Sequence, residues 1–237
     1  MASTAKSWAL DSVERASMTE RVLRELRKAI IDGRIPQGEQ LREVQLAGSL
    51  GTGRTAVREA IRQLVQEGLV EYEVHRGAYV RVMSLADRLD VYVAREAIES
   101  GAVRQAIESG APMQLDGVHE ALDELKVAAG AQENMSDALI AADIHFHQEL
   151  VHLARSPRLS RAHQTLAAET EILLRHHPAY PQVDYVADHA RLFDALQRRD
   201  ARTPELVAEH LRFSAQLIGA ELARESTATN DEETEAT

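Results

Sequence analysis

Cysteine is absent from the 237 residues of this chain. Neither a disulfide framework nor a thiolate metal site can therefore form. Aromatic residues are scarce, at 4%. Alanine, leucine, glutamate, arginine and glutamine dominate instead, a composition that favours helices over sheets. No run approaches the roughly 18 apolar residues of a membrane span, and the leading "MASTAKSWALDSV" has no apolar h-region, so a cytoplasmic protein is expected. What is present is 44% apolar, enough for a core, in a length that holds one large domain or two small ones.

Net charge is −11, unevenly spread. Residues 1–83 carry 13 Lys and Arg against 11 Asp and Glu, whereas residues 84–237 carry 14 against 27. This split predicts two domains of different electrostatic character, of which only the first could approach DNA comfortably. The expected divisions are an N-terminal extension (1–17), a first domain (18–82), a linker (83–86), an all-helical domain (87–225) and a disordered acidic tail (226–237).

In the first domain, Val22, Leu23, Leu26 and Ile30 line one face of a helix that Gly33 and Pro36 stop. A short helix at about Glu43–Leu50 follows, with Val44, Ala47 and Leu50 inward. After the turn "GTG", "RTAVREAIRQLVQEGLV" forms a third helix that packs Val57, Ile61 and Leu64 and ends at Gly68. The runs "LVEYEV" and "AYVRV", joined by "HRG", read as a β-hairpin. Three helices and a hairpin make a winged helix-turn-helix. Arg54, Arg58 and Arg62 are spaced four apart, forming a basic stripe that begins at the third helix's N-terminus. That end of a recognition helix enters the major groove, where arginine reaches guanine edges or phosphates. Thr55 adds a hydroxyl nearby. His75, Arg76 and Gly77, at the hairpin tip, could reach the neighbouring minor groove or backbone. A solvated arginine face paired with Glu59 is the alternative for the stripe alone; the whole element order favours double-stranded DNA.

The stretch "LREVQLAGSLGTGRTAVREAIRQLVQEGLVEYEVHRGAYV" (41–80) resembles the DNA-binding domain of GntR-type transcription regulators. By position, the resemblance implies that Arg54, Thr55 and Arg58 contact DNA and that His75, Arg76 and Gly77 form the wing tip. Two positions depart from the pattern. Gly53 stands where the family usually has serine, and Ala56 where it usually has proline. Glycine is an adequate cap, costing about a few tenths of a kcal/mol, so the fold is unaffected while operator preference can shift.

Beyond residue 82, six helices are expected, at roughly 86–109, 113–129, 136–155, 157–176, 182–199 and 204–225. Ser156-Pro157 and Thr203-Pro204 each offer a capping hydroxyl before a proline, and Pro112 and Ser136 mark similar starts. No 20–50-residue repeat and no strand pattern interrupts them. On the third of these helices, Ile140, Asp143, His147, Leu150 and Ala154 follow 3-4-3-4 spacing, which turns a carboxylate and an imidazole inward. Val186, His189, Phe193 and Leu196 do likewise on the fifth, and Leu206, His210, Phe213 and Leu217 on the sixth. A single buried imidazole usually finds a backbone or hydroxyl partner. A carboxylate with three imidazoles needs more, and a divalent cation satisfies all four. Neutral nitrogen with carboxylate oxygen suits Zn²⁺, Ni²⁺, Mn²⁺ or Fe²⁺. His119, His145, His152 and His163 read as surface positions, and His176-His177 before Pro178 as a helix end that suits positive charge.

This segment is similar to the effector domain of the FadR-like (FCD) branch of GntR regulators, in its six-helix, VanR-like form. The resemblance implies a metal, zinc first among candidates, held by Asp143, His147, His189 and His210, with no departure from the ligand pattern. Coordination positions left open would take a small organic acid as effector. Arg95, on a face with Val91, Ile98 and Ala102, is a candidate second anchor; an ordinary intrahelical pair with Glu99 is its alternative. The chain is thus expected to be a homodimeric, ligand-responsive repressor on a near-palindromic operator. A regulator that senses metal alone is the nearer alternative. A metalloenzyme is the more distant one, because no general base stands beside the four ligands and no catalytic residue is assigned.

Overall fold

A computed structural model describes residues 18–131, 136–175 and 185–235. The extension at 1–17, the histidines at 176 and 177, Pro178 and residues 236–237 lie outside them, as do residues 182–184 of the fifth expected effector-domain helix. Helix α1 (Met18–Ile31) buries Val22, Leu23, Leu26 and Ile30, the stripe its periodicity predicts. Helix α2 (Glu43–Ser49) is two turns long and buries Ala47 alone. Val44, expected inward, is exposed: so short a helix seals against the core with Ala47, while Leu46 and Leu50 pack only partly. Helix α3 (Arg54–Gln66) buries Val57, Ala60, Ile61 and Leu64 completely. Strands β1 (Val70–Glu73) and β2 (Gly77–Val80) pair antiparallel, Val70 opposite Val80 and Glu73 opposite Gly77. His75 and Gly77 take positive φ, 67° and 97°; glycine does so without steric cost.

Helix α4 (Leu85–Glu108) begins inside the expected linker. Ser84 accepts the Asp87 amide and Asp87 accepts the Ser84 amide, a reciprocal cap that fixes the start. Helix α5 (Asp116–Ala131) starts later than Pro112 suggests, with Asp116 placing negative charge in its first turn. Ser136 caps α6 (Asp137–His152) by accepting from the Leu139 amide at 3.2 Å. Helix α7 (Pro157–Arg175) opens at its proline, as expected. Helix α8 (Tyr185–Gln197) follows, then α9 (Thr203–Glu235). Thr203 does not cap α9: it lies within the helix and its hydroxyl donates to the Asp200 carbonyl at 2.6 Å. Helix α9 also runs through the segment expected to be disordered. A low apolar content argues against a packed core, but a helix satisfies its backbone from within and needs no core to do so.

Helix α4 packs along α9, α7 and α6, while α5 packs on α6 and α8. One apolar cluster extends from Leu26, Ile61 and Leu64 in the winged domain to Phe146, Leu150, Leu196 and Leu211 in the bundle. The two domains meet where α1 touches α7.

Candidate metal centre and DNA-facing surface

Burial of Val57, Ile61 and Leu64 on one side of α3 leaves the opposite side to the basic stripe. Arg54, Thr55, Arg58 and Arg62 are exposed. Arg58 is held bidentately by Glu43 of α2, at 2.9 and 2.8 Å, and Arg54 lies 3.8 Å from the same carboxylate. Arg62 pairs with Glu59 at 3.1 Å. The stripe is therefore exposed and partly tied to acids. At the hairpin tip, Arg76 pairs with Glu73 and lies over the Tyr79 ring at 4.8 Å. The Gln40 amide donates to the Arg76 carbonyl at 2.5 Å, bracing the tip from the segment before α2. His75 is exposed beside it. Recognition helix and wing tip thus present all six expected DNA-facing residues at the surface, with Gly77 half-buried at the strand start.

In the bundle, α6, α8 and α9 bring His147, His189 and His210 together, their donor atoms all within 4.8 Å of one another. Asp143 joins them through His189 and His147. Asp143 Oδ1 is 3.1 Å from His189 Nε2 and 3.7 Å from His147 Nε2. The far sides of the His189 and His147 rings are already committed. His189 Nδ1 donates to the Tyr185 carbonyl at 2.6 Å, and His147 Nδ1 donates to Glu99 Oε2 at 2.6 Å. In a neutral imidazole that leaves Nε2 as a lone pair. Two lone pairs thus face one carboxylate oxygen, which already accepts the Tyr185 hydroxyl at 2.5 Å.

Such a convergence needs protons or a cation between its members. Burial, aided by the neighbouring imidazoles, pushes His210 well below the ordinary imidazole range, and burial lowers His147 despite Glu99 beside it. Protons are thus disfavoured on those two rings. Burial alone would raise Asp143; positive charge on His147 and a hydrogen bond donated by His189 would hold it down, and with neutral rings a cation must take their place. His210 completes the set: its ring stacks on His147 at 5.2 Å, and its buried Nδ1 has no hydrogen-bond partner among the described residues. Donors each about 2.1 Å from one metal stand about 3 Å apart at right angles. The 3.1 and 3.7 Å spacings to Asp143 are near that, while the histidine donors, within 4.8 Å of one another, would have to draw inward to share an ion.

Two of the inward stripes differ from expectation: on α8 Val186 is only half-buried, and α9 departs further. On α9 the buried line is Val207, Leu211, Ser214 and Ile218. His210 sits on its flank and Phe213 is 42% exposed, one position off, because the helix faces α4 with its neighbouring stripe. That rotation also opens a cavity of about 340 Å³ between α8 and α9, walled by Leu192, Leu206 and Phe213, with Asp188, Arg191 and Glu209 around it. His210 belongs to both the cavity wall and the cluster.

His163 is 4% exposed rather than on the surface, and its Nε2 donates to Glu99 Oε1 at 3.0 Å. The spacing of Leu159, His163, Thr170 and Leu174 along α7 carries that signal in the sequence. Arg95 forms the intrahelical pair, its Nε donating to Glu99 Oε1 at 2.8 Å. Glu99, fully buried, is the residue sequence reasoning passed over. Burial alone would raise its carboxyl; Arg95 and then His147 hold it well below the carboxylate range. Tyr185, a tyrosine at a helix start, carries no motif that would mark it in the sequence. His119, His145 and His152 are exposed or half-buried, as expected, with His119 stacked on Phe193 at 5.2 Å.

A winged helix-turn-helix joined to a six-helix bundle with an acid–imidazole centre defines a class, and comparison with known proteins agrees. Residues 18–80 match the family described as bacterial regulatory proteins, gntR family, and residues 90–213 match the FCD domain. The chain belongs to the GntR family, with an FCD domain, and is a DNA-binding transcription regulator rather than an enzyme. It is 34% identical over 184 residues to a protein of Paenarthrobacter nicotinovorans named "probable D-xylose utilization operon transcriptional repressor", covering 76% of this chain and 77% of that one. It is 26% identical over 203 residues to the transcriptional repressor RspR of Escherichia coli, covering 82% and 86%. Among solved structures, a GntR transcriptional regulator from a Rhodococcus species superposes with a TM-score of 0.71 at 29% identity, over 86% of this chain and 99% of that one. Among the described residues no helix is long and apolar enough to cross a membrane.

Proposed function

We propose that this regulator is a homodimeric repressor whose FCD domain binds one divalent metal, zinc foremost, through Asp143, His147, His189 and His210, and releases its operator when a small carboxylate joins that site. The observation that carries the reading is the pair of committed Nδ1 protons. With those bonds made, the Nε2 lone pairs of His147 and His189 point at Asp143 Oδ1, and His210 supplies a further buried nitrogen without a hydrogen-bond partner among the described residues. A metal held there supplies Lewis-acid positions for carboxylate oxygens. Glu99 and the Tyr185 carbonyl fix the tautomers that make the two rings ligands. The cavity between α8 and α9 gives a small acid access to His210. Arg95, buried near Asp143, is the second anchor. Its Nε bond to Glu99 uses one of five N–H donors.

Relatives named as repressors support that sign of regulation. In a dimer, two α3 helices read successive major grooves of a near-palindromic operator. Metal content decides the central point. Untagged protein kept from chelators is analysed by mass spectrometry, with His189→Ala and His210→Ala beside it. About one metal per chain, lost in both variants, is expected; no metal in the unmodified protein would return the cluster to a hydrogen-bonded polar core.

A further inference from the structure

Glu99 holds three partners at once. Its Oε1 accepts from Arg95 Nε at 2.8 Å and from His163 Nε2 at 3.0 Å, and its Oε2 accepts from His147 Nδ1 at 2.6 Å. All four side chains are buried, none more than 4% exposed. A carboxylate so enclosed cannot drop one donor and take water instead, because a buried charge left short of partners is costly. Displacement of the His147 ring therefore moves Glu99, and Glu99 moves His163. His163 belongs to α7, the helix that reaches the winged domain.

Farther along α7, about 9 Å at about 1.5 Å per residue, stands Glu169. Its Oε1 accepts from Arg81 Nη1 at 2.9 Å, just past β2, and Arg81 Nη2 donates to Asp87 of α4 at 2.6 Å. The same carboxylate is pressed against Gly68, immediately after α3: a Cβ added there would lie 2.8 Å from Glu169 Oε1. Arg175, at the end of α7, lies 3.8 Å from Asp32 beyond α1. Helix α7 thus has one grip on the buried polar cluster and another on the ends of the recognition helix and the hairpin.

We propose that Glu99 and His163 are positioning residues that tie the state of the metal centre to α7, and that Glu169 passes it to the winged domain at Gly68 and Arg81. This rests on the metal reading above. Zinc fixes the His147 ring, Glu99 locks to it, and α7 is held in one register against the end of α3. Coupling of this kind requires an element shared by both sites whose placement each one biases.

Hydrogen exchange read by mass spectrometry tests it, on the full chain stripped and then reloaded with Zn²⁺ alone. Unmodified protein is expected to exchange more slowly with zinc by about fivefold or more, along α6, along α7 and around residues 66–82. His163→Gln and Glu169→Gln keep all four ligands and are expected to bind zinc with α6 still protected. In His163→Gln the protection of α7 and of 66–82 is lost; in Glu169→Gln only that of 66–82 is lost. Zinc protection at 66–82 that persists in both variants overturns the relay and leaves the metal site standing, as does protection confined to α6 in the unmodified chain. Failure of the unmodified chain to bind zinc overturns the metal reading itself, and the relay with it.

Discussion

His147 Nδ1 and Glu99 Oε2 stand 2.6 Å apart, in a place that solvent does not reach. That one bond turns a histidine into a potential ligand, because the proton is anchored on the side away from Asp143. It also makes Glu99 the common partner of an arginine and two histidines from three helices, and so a point of structural risk.

Removing the Glu99 charge is expected to destabilise the fold strongly. Glu99→Gln leaves Arg95 as a buried cation without its hydrogen-bonded carboxylate, a loss of about 3–5 kcal/mol. Replacing both partners by apolar residues, Arg95→Met with Glu99→Leu, is expected to cost less than the single change. Urea denaturation of the metal-stripped protein reads both values, and equal costs for the two variants would contradict the account of Glu99.

The metal-stripped protein should lose stability on mild acidification. Burial holds His147 and His210 below the value of about 6.5 that they regain on unfolding. Below that pH the unfolded chain binds more protons than the folded one, so stability falls as pH drops, by up to about 1.4 kcal/mol per unit for each histidine. Asp143 and Glu99, held below their ordinary values, add their loss only at lower pH, below about 4. Denaturation midpoints between about pH 7.5 and 5 trace the first window, and a flat profile there would contradict the burial of neutral imidazoles.

Arg58→Ala should weaken operator binding and leave metal content unchanged. Loss of a bidentate base contact costs about 1–3 kcal/mol, and loss of a phosphate contact lowers the salt slope by about one. Glu43→Gln, which frees Arg58 from its bidentate acid, is expected to act in the opposite direction. Titrations at several salt concentrations distinguish the two arginine roles, and metal lost with Arg58 would mean the domains are not separate.

Gly68→Ala should destabilise the junction for two separable reasons. The backbone there has φ of 74°, worth about 1–2 kcal/mol against a side chain, and the new methyl would meet the Glu169 carboxylate. Adding Glu169→Ala should recover the second part alone. Thermal melts of the single and double variants give the split; full recovery would show that the backbone carries no strain.

Much of the site could be read along the chain because helices impose their period. Asp143 and His147 fall on a stripe that is buried throughout, His189 on one that is buried but for half-buried Val186, and Arg54 and Arg58 fall opposite the buried face of α3. The stripe on α9 was legible only to within one position, since adjacent 3-4 stripes differ little in composition and the contact with α4 chooses between them. His163 looked like a surface residue for a related reason: polar neighbours on α7 hide a narrow inward line.

By itself the sequence determined the order of elements, the two-domain division and three helices each carrying a metal-competent side chain, for these follow from local periodicity, turn residues and charge. Tertiary structure alone decided which nitrogens of His147 and His189 face Asp143, that Glu99 joins Arg95, His147 and His163, and that Glu169 rests on Gly68. Those relations join residues far apart in the chain, and no local period encodes a distance between helices.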